Sequence, residues 1–221
     1  MVLALVVRAS AVWCAASRLR SAQSDDDDGA RSQFGTKDYW DEMYAGRGDF
    51  SSEEYSWYFG WDKIRPIWEA HVPDKASRVL LPGAGNDPTV ASLHAAGWRD
   101  LTAFDYSAEA VARLEDLLWD ADPPPSVSVA DARDLHGLAD ASFDAALEKG
   151  ALDAIYLAGD GNLERAVDEL SRVIRRGGVL VSVSGVVPPE LRRRCFDDAR
   201  WAWLRDGGDD LAAGSFVLER R

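Results

Sequence analysis

After Pro73, short apolar runs alternate with amphipathic stretches, and this alternation constrains the fold more than any other feature of the chain. The apolar runs predict strands over residues 78–81, 101–104, 127–130, 143–147, 179–183 and 215–218. Helices are predicted between them, opened by Asp87 and Ser107 as N-caps and, before the fifth strand, spanning residues 163–174. Strands that alternate with helices form an open α/β sheet with helices on both faces, which binds ligands at the carboxyl ends of its strands.

The region before this alternation divides into a leader and a segment rich in aromatic residues. The first 24 residues contain Arg8, Arg18 and Arg20 but no acidic residue, and an acidic run follows at 25–28. Such a leader is typical of an organelle transit peptide, and equally of an extension without a targeting role; its apolar runs are too short to span a membrane. We therefore predict a leader over 1–32 and a single domain over 33–221, with a lid at 33–72, a core at 77–185 and a C-terminal segment at 186–221. The predicted location is the cytoplasm, or a mitochondrion or plastid if the leader is a transit peptide.

Composition and charge exclude several classes of function. Of the 221 residues, 47% are hydrophobic and 29% are charged, which is typical of a globular protein. The formal net charge of −13 repels polyanions, so we predict no nucleic-acid partner and no membrane partner, whereas a cationic protein partner is compatible. Cys14 and Cys195 cannot build a disulfide framework, and no Cys/His cluster has the spacing of a metal site.

Glycine or acidic residues stand at the carboxyl ends of the first three predicted strands. Gly83 and Gly85 allow a sharp turn and a close approach of a ligand to the backbone. Asp105, at the end of the second strand, can accept hydrogen bonds from a ribose diol, and Asp131, after the third, can reach an adenine edge. Each alone is equally typical of a turn or a helix cap, but in this order they predict a nucleoside cradle. Pro88 replaces the third glycine of a dinucleotide fingerprint, which disfavours a nicotinamide oxidoreductase.

Five separate segments match one protein family in order. The segment SFDAALEKGALDA (142–154) closely resembles the family's SFDxxLEKGTLDA, and the other matches are YWDEMY (39–44), YSWY (55–58), RP (65–66) and DYS (105–107). The chain thus resembles, over residues 38–185, the class I (seven-strand) S-adenosylmethionine-dependent methyltransferases related to the translation elongation factor lysine methyltransferases. Beyond Gly185 the resemblance weakens.

The resemblance implies a Rossmann-like, mostly parallel seven-strand methyltransferase sheet, an aromatic-rich N-terminal helical lid and S-adenosylmethionine as cofactor. Together with the strand-end pattern, it places the cofactor against Trp40, Tyr44, Trp57, Gly83, Gly85, Asp105, Tyr106, Asp131, Ala132 and Lys149. The chain departs from the family at Ala84 and at Asp87-Pro88, which alters the backbone of the glycine loop. The implied activity is methyl transfer to a lysine of a protein substrate such as a translation elongation factor.

Methyl transfer from a sulfonium requires alignment, exclusion of water and an uncharged nucleophile rather than a strong acid. Burial between aromatic walls lowers the pKa of an acceptor lysine, and a carboxylate can orient its amine. We predict that Glu148 is this catalytic carboxylate. Two other interpretations stay open: methylation of a small molecule or another residue type, and a methyltransferase-like module that only binds partners. The oligomeric state and the number of methyl groups transferred are not determined by the sequence.

Overall fold

A computed structural model describes residues 31–207 and 213–221, and these residues form one seven-stranded sheet. The strands are β1 (Val79–Pro82), β2 (Leu101–Asp105), β3 (Ser126–Val129), β4 (Phe143–Lys149), β5 (Ile174–Ser184), β6 (Trp201–Asp206) and β7 (Gly214–Arg220). Their order is β3-β2-β1-β4-β5-β7-β6. The first five strands run parallel, and β7 is antiparallel to both β5 and β6. The predicted fold class is confirmed.

Helices cover both faces of this sheet, because its central strands are buried on both sides. The helices are α1 (Lys37–Glu42), followed by a π-helical turn (Met43–Arg47), α2 (Trp61–His71), α3 (Thr89–Ala95), α4 (Ala108–Leu117), α5 (Ala151–Leu157), α6 (Leu163–Val173) and α7 (Pro189–Cys195). Along β1, Val79 and Leu81 pack into one core with α2, α3 and α4. Leu80 faces the other core, with α5, α6 and α7. This alternation is the two-residue period of a strand.

The observed helices and strands agree with the sequence predictions at some boundaries and differ at others. Ser107 caps α4 as predicted, since its hydroxyl accepts from the Ala110 N–H. The third helix begins at Thr89, one residue later than predicted, although Asp87 still accepts from the Thr89 N–H. Three elements were not predicted: β6, α5 and α7. Ile174, predicted to end a helix, instead begins β5.

The N-terminal boundary lies earlier than predicted. The Arg31 N–H donates to the Leu157 carbonyl at 2.8 Å, and the Ser32 hydroxyl accepts from the Phe34 N–H. The folded region therefore includes two residues that the prediction assigned to the leader, and the rest of the leader lies outside the described residues. Among the described residues, no helix combines the length and apolar character needed to cross a membrane.

Candidate cofactor and acceptor site

A cavity of about 910 Å³ opens at the carboxyl ends of the parallel strands, where ligands of open α/β sheets bind. One end, the cofactor end, is lined by the lid, the glycine loop after β1 and the ends of β2 and β3. The other end, the acceptor end, is lined by α5, the residues after β5, α7 and the facing ends of β6 and β7. Its volume lies near the upper limit for small-molecule sites, about 300–1,000 Å³.

The glycine loop can adopt its path only without side chains. Gly83 and Gly85 have φ values of +58° and +57°, in the left-handed region that favours glycine. A Cβ on Gly83 would overlap with the Cβ of Ala151, and one on Gly85 would overlap with the hydroxyl of Tyr44. The lid and α5 therefore approach this loop closely, and both glycines are required by packing as well as by backbone conformation.

Asp105 lies in the cavity wall at the end of β2 and organises the glycine loop. Its Oδ2 accepts from the Gly85 N–H and its Oδ1 from the Ser107 N–H, both at 3.0 Å. The residue is only 5% exposed. Burial raises the pKa of its carboxyl to about 6, against the opposing effect of the backbone hydrogen bonds. Each oxygen has a second lone pair, so the carboxylate retains the capacity to accept from ribose hydroxyls.

The neighbouring strand ends place the other predicted nucleoside contacts in the same wall. Tyr106, Asp131 and Ala132 all line the cavity. Asp131 already forms an ion pair with Arg133, with 2.6 Å between Oδ2 and Nη2. Burial raises the pKa of Asp131, but the hydrogen bonds from Arg133 outweigh it and lower the pKa below its usual value. A ligand must therefore share this carboxylate with Arg133.

The predicted lid residues form one aromatic group against the cofactor end. The ring of Trp40 stacks on Tyr44 with centroids 6.0 Å apart and meets the edge of Trp57 at 5.5 Å. The Trp40 indole N–H donates to the Phe34 carbonyl at 2.8 Å. The indole N–H of Trp57 is buried without a hydrogen-bond partner among the described residues. Trp57 lines the cavity, but this nitrogen is itself shielded from it.

Lys149 lines the cavity, but its contacts differ from the predicted role of a cofactor ligand. Its side chain is 7% exposed, and its ammonium forms an ion pair with Asp87. It also donates to the Ser56 hydroxyl and to the Phe59 carbonyl. Burial lowers the pKa of Lys149, and the charge of Asp87 opposes this. In the described structure Lys149 ties the lid to the glycine loop, and the partner that balances its charge is one of the residues at which the chain departs from the family.

The prediction that Glu148 orients the acceptor amine is wrong. Its side chain is fully buried and does not line the cavity. Its carboxylate accepts from the Ser182 hydroxyl at 2.6 Å and from the Leu152 N–H at 2.9 Å. Burial raises the pKa of this carboxyl to about 7. Glu148 thus joins β4 to β5 and to the start of α5 inside the protein.

A buried carboxylate that reaches the acceptor end is Asp153, in the first turn of α5. Its Oδ2 accepts from the Tyr58 hydroxyl at 2.5 Å and from the Gly185 N–H at 2.9 Å. Its Oδ1 accepts from the Ser184 hydroxyl and the Val187 N–H. Sequence reasoning missed this residue although it belongs to the 142–154 segment that carries the family resemblance.

The residues of the cofactor end fit S-adenosylmethionine. Asp105 supplies an acceptor for ribose hydroxyls, and Gly83 brings a stretch of backbone without a side chain into the cavity wall. The aromatic rings of Trp40 and Tyr44 provide faces that exclude water.

Comparison with known proteins agrees with this geometry. A family model described as a methyltransferase domain matches residues 80–182. The chain is 29% identical to the Bos taurus protein named EEF1A lysine methyltransferase 4, over 75% of this chain and 66% of that one. It is 28% identical to the Drosophila melanogaster eEF1A lysine and N-terminal methyltransferase homolog, over 70% of this chain and 23% of that one. The chain thus spans slightly less than two thirds of the bovine relative and about a quarter of the fly relative.

Solved structures share the fold at low sequence identity. A SAM-dependent methyltransferase from Methanosarcina mazei aligns with a TM-score of 0.57 at 16% identity, covering 70% of this chain and 97% of that one. The [4+2]-cyclase SpnF aligns with a TM-score of 0.58 at 19% identity, covering 78% and 72%. The fold, the cofactor wall and the sequence relatives together lead to one conclusion: residues 80–182 match a methyltransferase domain, and the chain is similar to the eEF1A lysine methyltransferases and shares the fold of S-adenosylmethionine-dependent methyltransferases.

Proposed function

We propose that this protein transfers a methyl group from S-adenosylmethionine to the side-chain amine of a lysine in a protein, with eEF1A as the first acceptor to test. The names of the bovine and fly relatives support this acceptor. The formal net charge of −13 is compatible with a basic, lysine-bearing partner.

The observation that carries the proposal is the continuity of the cavity. Gly83 and Asp105 at the cofactor end, Tyr58 between the two ends, and Trp203 and Phe216 at the acceptor end line one space. The acceptor end thus presents aromatic rings, which suit the aliphatic stem of a lysine. A long, thin side chain entering here can bring its amine towards a methyl group held at the cofactor end.

The residues of the acceptor end also favour the reactive form of a lysine. The sulfonium of the bound cofactor supplies an activated methyl group, so the protein must provide alignment and a neutral amine. Aromatic walls lower the pKa of a lysine that they enclose, because the charged form loses its water. The guanidinium of Arg192 lies 4.0 Å above the ring of Phe216 in this wall and offsets the charge of Asp153, so that the wall does not attract an ammonium group.

A small-molecule acceptor is the second candidate. The volume of the cavity lies within the range of small-molecule sites, close to its upper limit. A free small amine could therefore occupy the acceptor end in place of a lysine side chain of a protein. This candidate makes a different prediction about the size of the labelled product.

One labelling experiment separates these candidates. The full-length protein is incubated with tritiated S-adenosylmethionine and either purified eEF1A or whole-cell extract, and the products are resolved by size. Our proposal predicts label in a protein, at a lysine located by mass spectrometry and lost when that lysine is replaced by arginine. Label confined to small molecules would favour the second candidate, and tight cofactor binding without any labelled product would favour a binding module.

A further inference from the structure

Tyr58 has a backbone conformation that bulky residues rarely adopt. Its φ is +63°, and among the described residues only Ala141 shares a positive φ without being glycine. Such a conformation persists only where surrounding contacts maintain it, frequently at functional sites. Tyr58 lies in the lid segment and lines the cavity, so the strain is located at the site itself.

The contact that maintains this conformation is a hydrogen bond to a rigidly held carboxylate. The Tyr58 hydroxyl donates to Asp153, which is 3% exposed. The other hydrogen bonds to Asp153 come from the Ser184 hydroxyl and from backbone N–H groups after β5. Arg192 donates in turn to the Ser184 hydroxyl at 2.5 Å. The carboxylate is therefore occupied and fixed, and it determines where the single hydroxyl proton of Tyr58 points.

The ring of Tyr58 stands between the two ends of the cavity. A Cβ on Gly150 would lie 3.3 Å from Cε2 of Tyr58, and Gly150 directly follows Lys149 at the end of β4. The next residue, Ala151, is the one against which Gly83 packs. Tyr58 is thus separated from the glycine loop of the cofactor end by a single turn of backbone.

We propose that the Tyr58 hydroxyl oxygen positions the acceptor amine by accepting one of its N–H hydrogen bonds, and that Asp153 acts as a positioning residue by holding the hydroxyl proton away from the amine. This assignment rests on the proposed transfer to lysine. Because the proton of the phenol is committed to Asp153 and the backbone N–H of Gly185 contacts the oxygen, one lone pair is the remaining hydrogen-bonding capacity of this oxygen.

This arrangement leaves the nitrogen lone pair free for the reaction. An ammonium group first loses one proton to water, and the neutral amine then donates an N–H to Tyr58. The nitrogen lone pair forms the new C–N bond while the C–S bond breaks with its electron pair on sulfur, giving a methylammonium and a neutral thioether. Burial and the charge of Asp153 raise the pKa of Tyr58 well above its ordinary value, so the phenol stays protonated throughout.

The test compares two Tyr→Phe variants of the full-length protein. Tyr58→Phe removes the proposed contact and keeps the ring. Tyr39→Phe is the matched control, because its hydroxyl oxygen is buried without a hydrogen-bond partner among the described residues and it does not line the cavity. We first measure the melting temperature of each protein. Turnover of the protein acceptor and the dissociation constant of S-adenosylmethionine are then measured at a temperature below the lowest of these values.

We expect Tyr58→Phe to lower kcat about 10-fold to 100-fold at saturating substrates, because a misplaced nucleophile loses alignment. Cofactor affinity should stay within about twofold, since the hydrogen bond that is lost lies outside the cofactor contacts. Tyr39→Phe should match the wild type in both. Unchanged kcat in Tyr58→Phe, or a loss that saturating cofactor restores, would overturn the assignment and leave the hydroxyl as a support for the lid.

Asp153→Asn provides a second route if Tyr58→Phe is unstable. The amide can donate to the phenol oxygen and so occupy the lone pair that the amine requires. We expect kcat to fall at least as far as in Tyr58→Phe, and a folded Asp153→Asn protein with normal kcat would overturn the assignment. A wild-type protein that labels no lysine would instead overturn the proposed function, and this assignment with it.

Discussion

The two ends of the cavity are built in different ways. At the cofactor end, Asp105 bonds to Gly85, 20 residues before it, and to Ser107, two residues after it. At the acceptor end, Asp153 bonds to Tyr58, 95 residues away, and to Val187, 34 residues away. Local connections leave a spacing in the sequence, whereas contacts between distant segments do not. The cofactor end was therefore recognisable before the structure, and the acceptor end was not.

The ends also differ in how their charges are balanced. Asp105 receives these two hydrogen bonds from backbone N–H groups, which carry no formal charge. Its negative charge is therefore not neutralised by them. At the acceptor end, Asp153 and Arg192 both contact the Ser184 hydroxyl, which places opposite charges around one atom. A negative cofactor end suits a cationic sulfonium and ribose hydroxyls. A balanced acceptor end does not stabilise an ammonium, which favours the neutral amine.

The largest effect that separates the ends should come from Gly83→Ala. The new Cβ would overlap with Ala151, and φ at this position is +58°, so the glycine loop must move. We expect cofactor affinity to fall about 100-fold or more, because this combines strain of about 1–3 kcal/mol with loss of space for the ligand. Titration calorimetry measures the affinity, and Gly137→Ala is the control, since its added Cβ meets nothing within 4 Å. Normal affinity in Gly83→Ala would show that the loop does not approach the cofactor.

Asp105→Asn should give the next largest effect. Replacing an ionised acceptor of ribose hydrogen bonds should lower affinity for S-adenosylmethionine about 10-fold to 100-fold at pH 8. Because the carboxyl has a pKa of about 6, wild-type affinity should also fall as the pH drops below that value, whereas the variant should show no such dependence. Calorimetric titrations between pH 5 and 8 test this, and a flat wild-type profile would contradict it.

Asp105 should also influence stability with a defined sign. Its pKa of about 6 in the folded state exceeds the ordinary value of 3.8, so between these values the folded protein binds more protons than the unfolded chain. The contribution of this carboxyl to the free energy of unfolding therefore decreases as the pH rises through that window. We expect this decrease of stability with pH to be absent in Asp105→Asn. The melting temperature of both proteins, measured as a function of pH, tests this. The variant should melt lower overall, because an amide nitrogen cannot accept from Gly85 or Ser107.

The limits of sequence reasoning follow from particular residues. The glycine loop, Asp105 and the Ser107 cap were predictable, since short-range backbone geometry requires those residue types there. Glu148 was assigned wrongly because β4 is buried on both faces, so no polar and apolar alternation shows which residues face the cavity. The partner of Lys149 was missed because Asp87 lies 62 positions earlier, on the glycine loop. The strand β6 lies beyond Gly185, where the family resemblance fades.

Trp203→Ala should affect the acceptor end alone. The ring of Trp203 lines that end, its indole N–H donates to the Phe196 carbonyl at 3.0 Å, and Arg193 stacks on it at 3.9 Å. We expect KM for the protein acceptor to rise about tenfold, as for a large aromatic anchor, with cofactor affinity unchanged within about twofold. Steady-state kinetics and calorimetry on the same protein test the two quantities. A parallel loss of both would show that the ends are not independent.

Asp131→Ala should have the smallest effect, even though Asp131 was predicted from the same strand-end logic as Asp105. The two carboxylates differ in burial and in partners: Asp105 is 5% exposed and bonded by backbone, whereas the side chain of Asp131 is 36% exposed and paired with Arg133. An exposed pair of this kind contributes about 0–1 kcal/mol, and an adenine amino group must compete with Arg133 for the same oxygens. The expected loss of cofactor affinity is therefore about threefold or less, within the value of one exposed neutral hydrogen bond.

Calorimetry on Asp131→Ala beside Arg133→Ala tests this competition for the Asp131 carboxylate. Arg133→Ala frees the carboxylate and should strengthen cofactor binding, whereas Asp131→Ala removes it and should weaken binding slightly. A loss near that of Asp105→Asn would mean that the adenine displaces Arg133 on binding, and that exposure in the free protein is a poor guide to the contribution of a strand-end carboxylate.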